Sequence, residues 1–235
     1  NLLELPKWKA REIIHSGEYF RFTFVRNPYS RLYSCWRTKI YLVEPGWPQK
    51  IVANIKKKFP NEIVGNSVSF SGFIKYICTY TNLKNCNGHW QTQSSLIFQD
   101  AIKYDLIGKV ENFENDIECF FNFIDVDTFQ KERLKQIKEN SYSNYKDDWR
   151  SYYDEELANL VYEAYEEDFL KFNYSKDSWK QKQNEEDSYI QIGQEGLQQL
   201  NRMKIHFEKE IYERNQTINM LYNERDNLLE KINRK

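Results

Sequence analysis

Apolar and polar positions change their period several times along the chain, and each change marks an element. From Glu18 to Val25, EYFRFTFV is dense in aromatic and β-favouring residues and short enough for a buried strand. SRLYSCWRTKIYL (30–42) then has helical spacing, with Leu32, Cys35, Trp36 and Ile40 on one face. Residues 44–67 hold Pro45, Pro48 and Pro60 around a basic KIVANIKKKF, which predicts a surface excursion containing a short amphipathic helix. SFSGFIKYICTYT predicts a helix with Ser69 or Ser71 as N-cap, whereas NGHWQTQSSL reads as a turn followed by irregular chain. Ile102 to Val110 predicts a second buried strand, ENDIECFFNFI a helix after it, and Asp154 to Phe172 one amphipathic helix with Leu157, Val161, Ala164, Tyr165 and Phe169 on one side. Strand, loop, helix, connection, strand, helix is the order of an α/β domain with a parallel sheet.

The pattern changes again near residue 175, where the chain turns polar. From Leu197, positions 197, 200, 204, 207, 211, 214, 218, 221, 225, 228 and 232 step by three and four, and eight of these eleven are apolar. Lys204, Arg214 and Arg225 interrupt the series. This predicts a coiled-coil helix over 197–235 that joins copies of the chain into a homo-oligomer. A lone amphipathic helix packing back on the domain is the competing reading. The expected organisation is a domain over 1–175, a polar linker over 176–196 and the coiled-coil helix beyond.

Composition narrows the choice of partner. Lys+Arg number 34 and Asp+Glu 35, so no global field draws the chain to nucleic acid or to an acidic membrane, and an anionic ligand must be caught by local geometry. No apolar run approaches the length of a membrane span, and no signal peptide opens the sequence. Cys35, Cys78, Cys86 and Cys119 are scattered, without a CxxC pair, which fits a reducing compartment. No GxxxxGK[ST], HExxH, GxSxG or zinc spacing occurs, and no metal is expected.

Local geometry is most suggestive in FVRNPYSRLYSCWR (24–37). A helix that starts near Ser30 leaves backbone N–H groups and a dipole that favour a negative charge. Arg26 at the strand end offers a planar two-pronged donor for a phosphate, Pro28 fixes the turn, and Ser34 lies eight residues after the arginine with a hydroxyl that could reach the same anion. The residues by themselves leave a second reading open, in which Arg26 pairs with a carboxylate and Ser34 faces a neighbouring helix.

FVRNPYSRLYSCWR resembles the 3′-phosphate-binding loop of sulfotransferases dependent on 3′-phosphoadenosine 5′-phosphosulfate (PAPS), in particular the carbohydrate branch that includes the chondroitin 4-O-sulfotransferases. GHWQTQSSLI with IKYDLIGKVENFENDI, and later YYDEELANLVYEAYEEDFLKFNYS, are similar to further blocks of that family in the same order, over roughly residues 18–175. The resemblance implies a P-loop-like α/β fold and a donor site in which Arg26 and Ser34 hold the 3′-phosphate. It also implies transfer of a sulfuryl group to a hydroxyl of a carbohydrate-type acceptor. The family's Pro-Lys-x-Gly loop, which holds the 5′-phosphosulfate on the first strand, has no match, and LPKWKAREI reads as the tail of a later helix. The expectation is therefore an N-terminally truncated chain, inactive alone, from an active longer protein. A non-catalytic scaffold whose coiled coil is the functional part is the alternative. A Cys-x-x-Cys found in the animal enzymes is replaced by LIFQDA, which suggests a bacterial, cytoplasmic relative, with the Golgi lumen of the animal enzymes as the alternative.

Sulfuryl transfer requires a base for the acceptor hydroxyl. The chain has three histidines, His15, His89 and His206. His89 sits in the family-like loop between Gly88 and Trp90 and is the candidate for base work or acceptor binding. A structural hydrogen bond fixing the loop is its plain alternative. Glu111 is the alternative carboxylate base, or else a first-turn acid of the following helix. Trp90 reads either as a sugar-stacking face or as core, and Lys56, Lys57 and Lys58 as a groove for an anionic sugar chain or a solvated face.

Overall fold

The computed structural model of the protein describes residues 6–16, 19–42, 49–124 and 148–180, and positions of a helical stretch between 209 and 225. Helix α1 (Lys7–His15) precedes strand β1 (Phe22–Val25), and α2 (Pro28–Cys35) runs on into a π-helical stretch, Trp36–Tyr41. Next come α3 (Gln49–Lys58), a 3-10 turn Pro60–Glu62, the strands β2 (Ile63–Val64) and β3 (Ser67–Val68), α4 (Phe70–Tyr80) and the short α5 (Gln93–Leu96). Strand β4 (Leu106–Lys109) is followed by a 3-10 turn Val110–Asn112 and α6 (Phe113–Ile124); a turn Trp149–Tyr152 then leads to α7 (Glu155–Ala164) and α8 (Glu166–Lys171).

The two strands expected from the sequence pair in parallel, Phe22 beside Leu106 through Val25 beside Lys109. Both are shorter than their apolar runs because side-chain bonds take over where the ladder starts. The Asp105 carboxylate accepts from the Arg21 N–H (2.8 Å) and from its Nε (3.1 Å), while the Asp105 N–H donates to the Arg21 carbonyl. At Gly108 a Cβ would lie 2.5 Å from the Phe24 ring, so only glycine lets that ring cross the strand and pack on Phe113.

The core lies between α2, α4 and α7. Leu32, Cys35, Trp36 and Ile40 are all buried, as their spacing predicts. The Trp36 indole donates to the Val68 carbonyl (3.0 Å), so burial of the ring leaves no polar group unpaired. Ser69, not Ser71, caps α4 by accepting from the Gly72 N–H, and both serines also donate to the Glu62 carboxylate.

Three elements differ from the sequence reading. The single helix expected over Asp154–Phe172 is two. Asp154 caps the first by accepting from the Leu157 N–H, and the chain breaks at Tyr165, whose buried ring turns its hydroxyl to the Trp90 carbonyl. GHWQTQSSL contains α5, too short for a periodicity to show. Residues 176–180 form a turn in which Ser178, buried, accepts from the Asn27 side chain (2.8 Å), so the domain's contacts run past residue 175. Of the expected coiled coil, residues 212–218 are helical, with Ile218 and Leu221 exposed; the linker over 181–196, His206 and most of the heptad positions lie outside the described residues. No helix among the described residues is long and apolar enough to cross a membrane.

Candidate functional site

Where β1 ends, the chain turns through Arg26 and Asn27 into α2. The helix starts at Pro28, earlier than Ser30, because Asn27 is a good cap: its Oδ1 accepts from the Tyr29 N–H (3.0 Å), and proline at the first position gives up no needed donor. The Asn27 N–H in turn donates to Glu111 Oε1 (2.8 Å). These two donors at the helix start are thus used within the protein, and Ser34 lies nearly two turns in, not one.

Arg26 is held at three points. Its N–H donates to Gln93 Oε1 and its carbonyl accepts from Gln93 Nε2, both at 2.8 Å, and its Nε donates to Ser30 Oγ at 2.9 Å. The two terminal amino groups of the guanidinium hydrogen-bond to nothing among the described residues. Burial pulls this guanidinium below arginine's ordinary pKa, against the opposite pull of Glu111. A planar donor pair, fixed in place and partly desolvated, is what recognition of a phosphate requires.

The fork faces an open cleft of about 840 Å³. Arg31, Ser34, Cys35 and Thr38, at helical spacing along α2 and its π-helical extension, form one wall with Arg26 and Lys39. Asn87, Gly88, His89 and Leu96 form the other. Arginine, lysine, histidine and hydroxyl groups line it and, among the described residues, no carboxylate does, which favours an anion there.

Three of the four residues singled out from the sequence, Arg26, Ser34 and His89, thus line one cleft. The fourth, Glu111, is not among its lining residues. It sits behind the turn, where it accepts from the Asn27 N–H, from Ser30 Oγ (3.4 Å) and from the Tyr174 hydroxyl (3.0 Å). Burial, then the charge of Glu111, pushes the Tyr174 hydroxyl far above its ordinary pKa, so it stays a donor. Trp90 is core: 5% exposed, its ring edge-on to Phe73. His15 ends α1, away from the cleft's lining. Of the lysine run, Lys56 donates to the Asn66 carbonyl and Lys58 lies over the Tyr80 ring. Among the described residues no group of three His, Cys, Asp or Glu could hold a metal ion.

Three residues that the sequence did not point to organise the site. Arg31 donates from its two amino groups to the Gly88 and Gln91 carbonyls, each at 2.7 Å, and so ties the His89 loop to α2. Gln93 clamps the Arg26 backbone, and Asp168, fully buried, accepts from the N–H groups of Gln93 (2.6 Å) and Ser94 (2.9 Å) at the start of α5. The only sequence signal for Gln93 and Asp168 is that they lie in the family-like His-Trp and Asp-Phe blocks.

The sequence also matches known proteins. The family model described as "Sulfotransferase family" matches residues 1–175. The chain is similar to carbohydrate sulfotransferase 12 of mouse, 28% identical over 172 residues that make up 68% of this chain and 41% of the relative. It is 30% identical to carbohydrate sulfotransferase 11 of rat over 185 residues, 74% of this chain and 53% of the relative. With carbohydrate sulfotransferase 8 of mouse it shares 27% over 192 residues, 74% and 45% of the two chains. The chain therefore spans about half the length of the relatives it matches. These relatives are animal proteins and lend no support to a bacterial source. No solved structure gives a significant match. The parallel pair of strands, the arginine turn at its end and the match over 1–175 lead to one statement of kinship: the chain belongs to the sulfotransferase family.

Proposed function

We propose that the protein is a PAPS-dependent sulfotransferase acting on a hydroxyl of a carbohydrate, the acceptor class that the names of its relatives carry. The observation that carries this reading is the Arg26 guanidinium. It is pinned through Nε, with its terminal amino groups unpartnered among the described residues, and it lines a cleft that also holds Ser34 and His89 and, among those residues, no carboxylate. Arg26 and Ser34 take the 3′-phosphate of the donor. PAPS, when bound, supplies the sulfuryl group and a phosphate as leaving group. His89, exposed on the opposite wall, takes the proton of the acceptor hydroxyl. Glu111 keeps the Arg26 turn in place from behind. The fold is the P-loop-like one of the family. No metal takes part.

Residues 197–235 join copies of the chain, a reading supported by the exposure of Ile218 and Leu221 on a helical stretch at heptad positions.

Calorimetry with adenosine 3′,5′-bisphosphate, the product of the donor, tests the site. Binding that Arg26→Ala removes supports it, and binding unchanged by Arg26→Ala overturns it. Transfer from labelled PAPS to a panel of polysaccharides then tests the reaction, with His89→Ala expected to lower turnover more than donor affinity. Light scattering of the Ile218→Glu/Leu221→Glu variant tests self-association; a smaller assembly is expected, and an unchanged mass counts against it.

A further inference from the structure

The phosphate-binding arginine is only as good as the backbone that aims it, and here that backbone is not fixed by the sheet alone. The β1–β4 ladder ends at Val25 and Lys109, one residue before Arg26. From there the N–H and C=O of Arg26 are paired with the side-chain amide of Gln93, the N–H to Oε1 and the C=O to Nε2, both at 2.8 Å. The amide imitates one more rung of the ladder, with its acceptor oxygen and its donor nitrogen both used on one planar group. Gln93 is 5% exposed and begins α5. Its own backbone is set from the other side by Asp168 of α8, whose two oxygens accept from the Gln93 and Ser94 N–H groups. A connected path thus runs from a fully buried carboxylate, through one amide side chain, to the cleft arginine.

We propose that Gln93, anchored by Asp168, is the positioning residue of the anion cleft, holding the Arg26 backbone so that its guanidinium meets the donor phosphate in one orientation. The inference rests on the donor-site reading above. It makes Gln93 a determinant of donor affinity although it lies outside the cleft's lining and touches no substrate.

The test is calorimetry with adenosine 3′,5′-bisphosphate on the wild-type protein and on Gln93→Ala, Gln93→Glu and Arg26→Lys, with the Gln93→Ala/Arg26→Lys double variant and thermal melting of each. If the wild type does not bind the nucleotide, the donor-site reading itself fails. Given wild-type binding, Gln93→Ala is expected to weaken it about tenfold or more. Gln93→Glu is expected to weaken it at least as much, because its second oxygen faces the Arg26 carbonyl where a donor stood. In the Arg26→Lys background, with the bidentate fork already gone, the same Gln93→Ala change is expected to cost less than about twofold. A general loosening of the fold would weaken binding by the same factor in both backgrounds, and that result overturns the proposal. So does wild-type affinity in both Gln93 variants. If Gln93→Ala melts without a cooperative transition, Gln93→Met of equal length replaces it. Failure of both to fold makes the clamp a requirement of folding and not of aim, and the inference falls.

Discussion

One wall of the cleft carries two arginines, Arg26 just ahead of α2 and Arg31 within it, yet they are held in opposite ways. Arg26 is fixed by its backbone and by Nε, which leaves its terminal amino groups for a ligand. Arg31, five residues on, has committed both of its amino groups to the carbonyls of Gly88 and Gln91 and is the post on which the His89 loop hangs. Both line the cleft and both carry the same charge. The difference teaches that hydrogen-bond commitments, not charge or proximity, decide which of two neighbouring cations is left available to a ligand.

The largest effect should follow from removing the uncommitted arginine. Arg26→Ala is expected to weaken binding of adenosine 3′,5′-bisphosphate by about 100-fold or more, in line with loss of a bidentate charge-assisted contact of roughly 3 kcal/mol. The melting temperature should change little, because the Gln93 clamp holds only main-chain atoms of that residue. A large fall in melting temperature with affinity intact would reverse the roles of the two arginines.

Arg31→Ala should do the converse. Two charged hydrogen bonds to loop carbonyls are lost, at a cost of about 2–3 kcal/mol of stability. Protection of the 87–92 amides from hydrogen exchange should fall with it. Lysine cannot restore the pair, because a single ammonium does not reproduce the planar fork. If Arg31→Lys melts like the wild type, the post is not bidentate in solution.

How far these roles could be read beforehand depends on the distance over which they are decided. The strand, turn and helix around Arg26 follow from short-range pattern: an aromatic run, a cap-proline pair and the 32, 35, 36, 40 spacing. Arg26 and Ser34 were therefore visible, and His89 was visible through its neighbours in a family-like block. The partners that assign roles are far off in sequence. Gln93 is 67 residues from Arg26, and Asp168 is 75 from Gln93. No periodicity encodes such pairs. Glu111 shows the same limit from the other side: the residue type allows a base, and its contacts with Asn27, Ser30 and Tyr174, which no local pattern shows, put it behind the turn and outside the cleft's lining. Trp90 had two readings, and the Tyr165 bond to its carbonyl with burial against Phe73 gives it to the core.

Glu111→Gln separates a latch from a base. An amide still accepts from the Asn27 N–H but lacks the charge, so stability should fall by about 1–2 kcal/mol, with a modest loss of donor affinity and turnover reduced in proportion. Turnover lost by several orders of magnitude at full donor affinity would instead make Glu111 the base and leave His89 as an acceptor contact.

The smallest effect concerns the Cys35 thiol of the same cleft. Cys35 lines the cleft but is 6% exposed, and burial pushes its thiol up to about 12, with Arg31 and Lys39 pulling the other way. A raised thiol pKa means less thiolate at any given pH, so at pH 8 the reactive fraction is on the order of 10⁻⁴. Cys78 is pushed equally high by burial, whereas Cys86, raised less and half-buried, has the greater access. Of these three thiols, iodoacetamide at pH 8 should therefore label Cys86 first, and labelling of Cys35 should rise about tenfold for each pH unit while the fold persists. Arg31→Ala removes one of the charges that favour the Cys35 thiolate and also loosens the opposite wall, two effects of opposite sign. If Arg31 is mainly a post, access wins and Cys35 labels faster in the variant. If its charge is what the cleft needs, the thiolate fraction falls and Cys35 labels more slowly. The sign of that change, read by mass spectrometry of the alkylated peptide, decides whether the second arginine acts by what it holds or by what it carries.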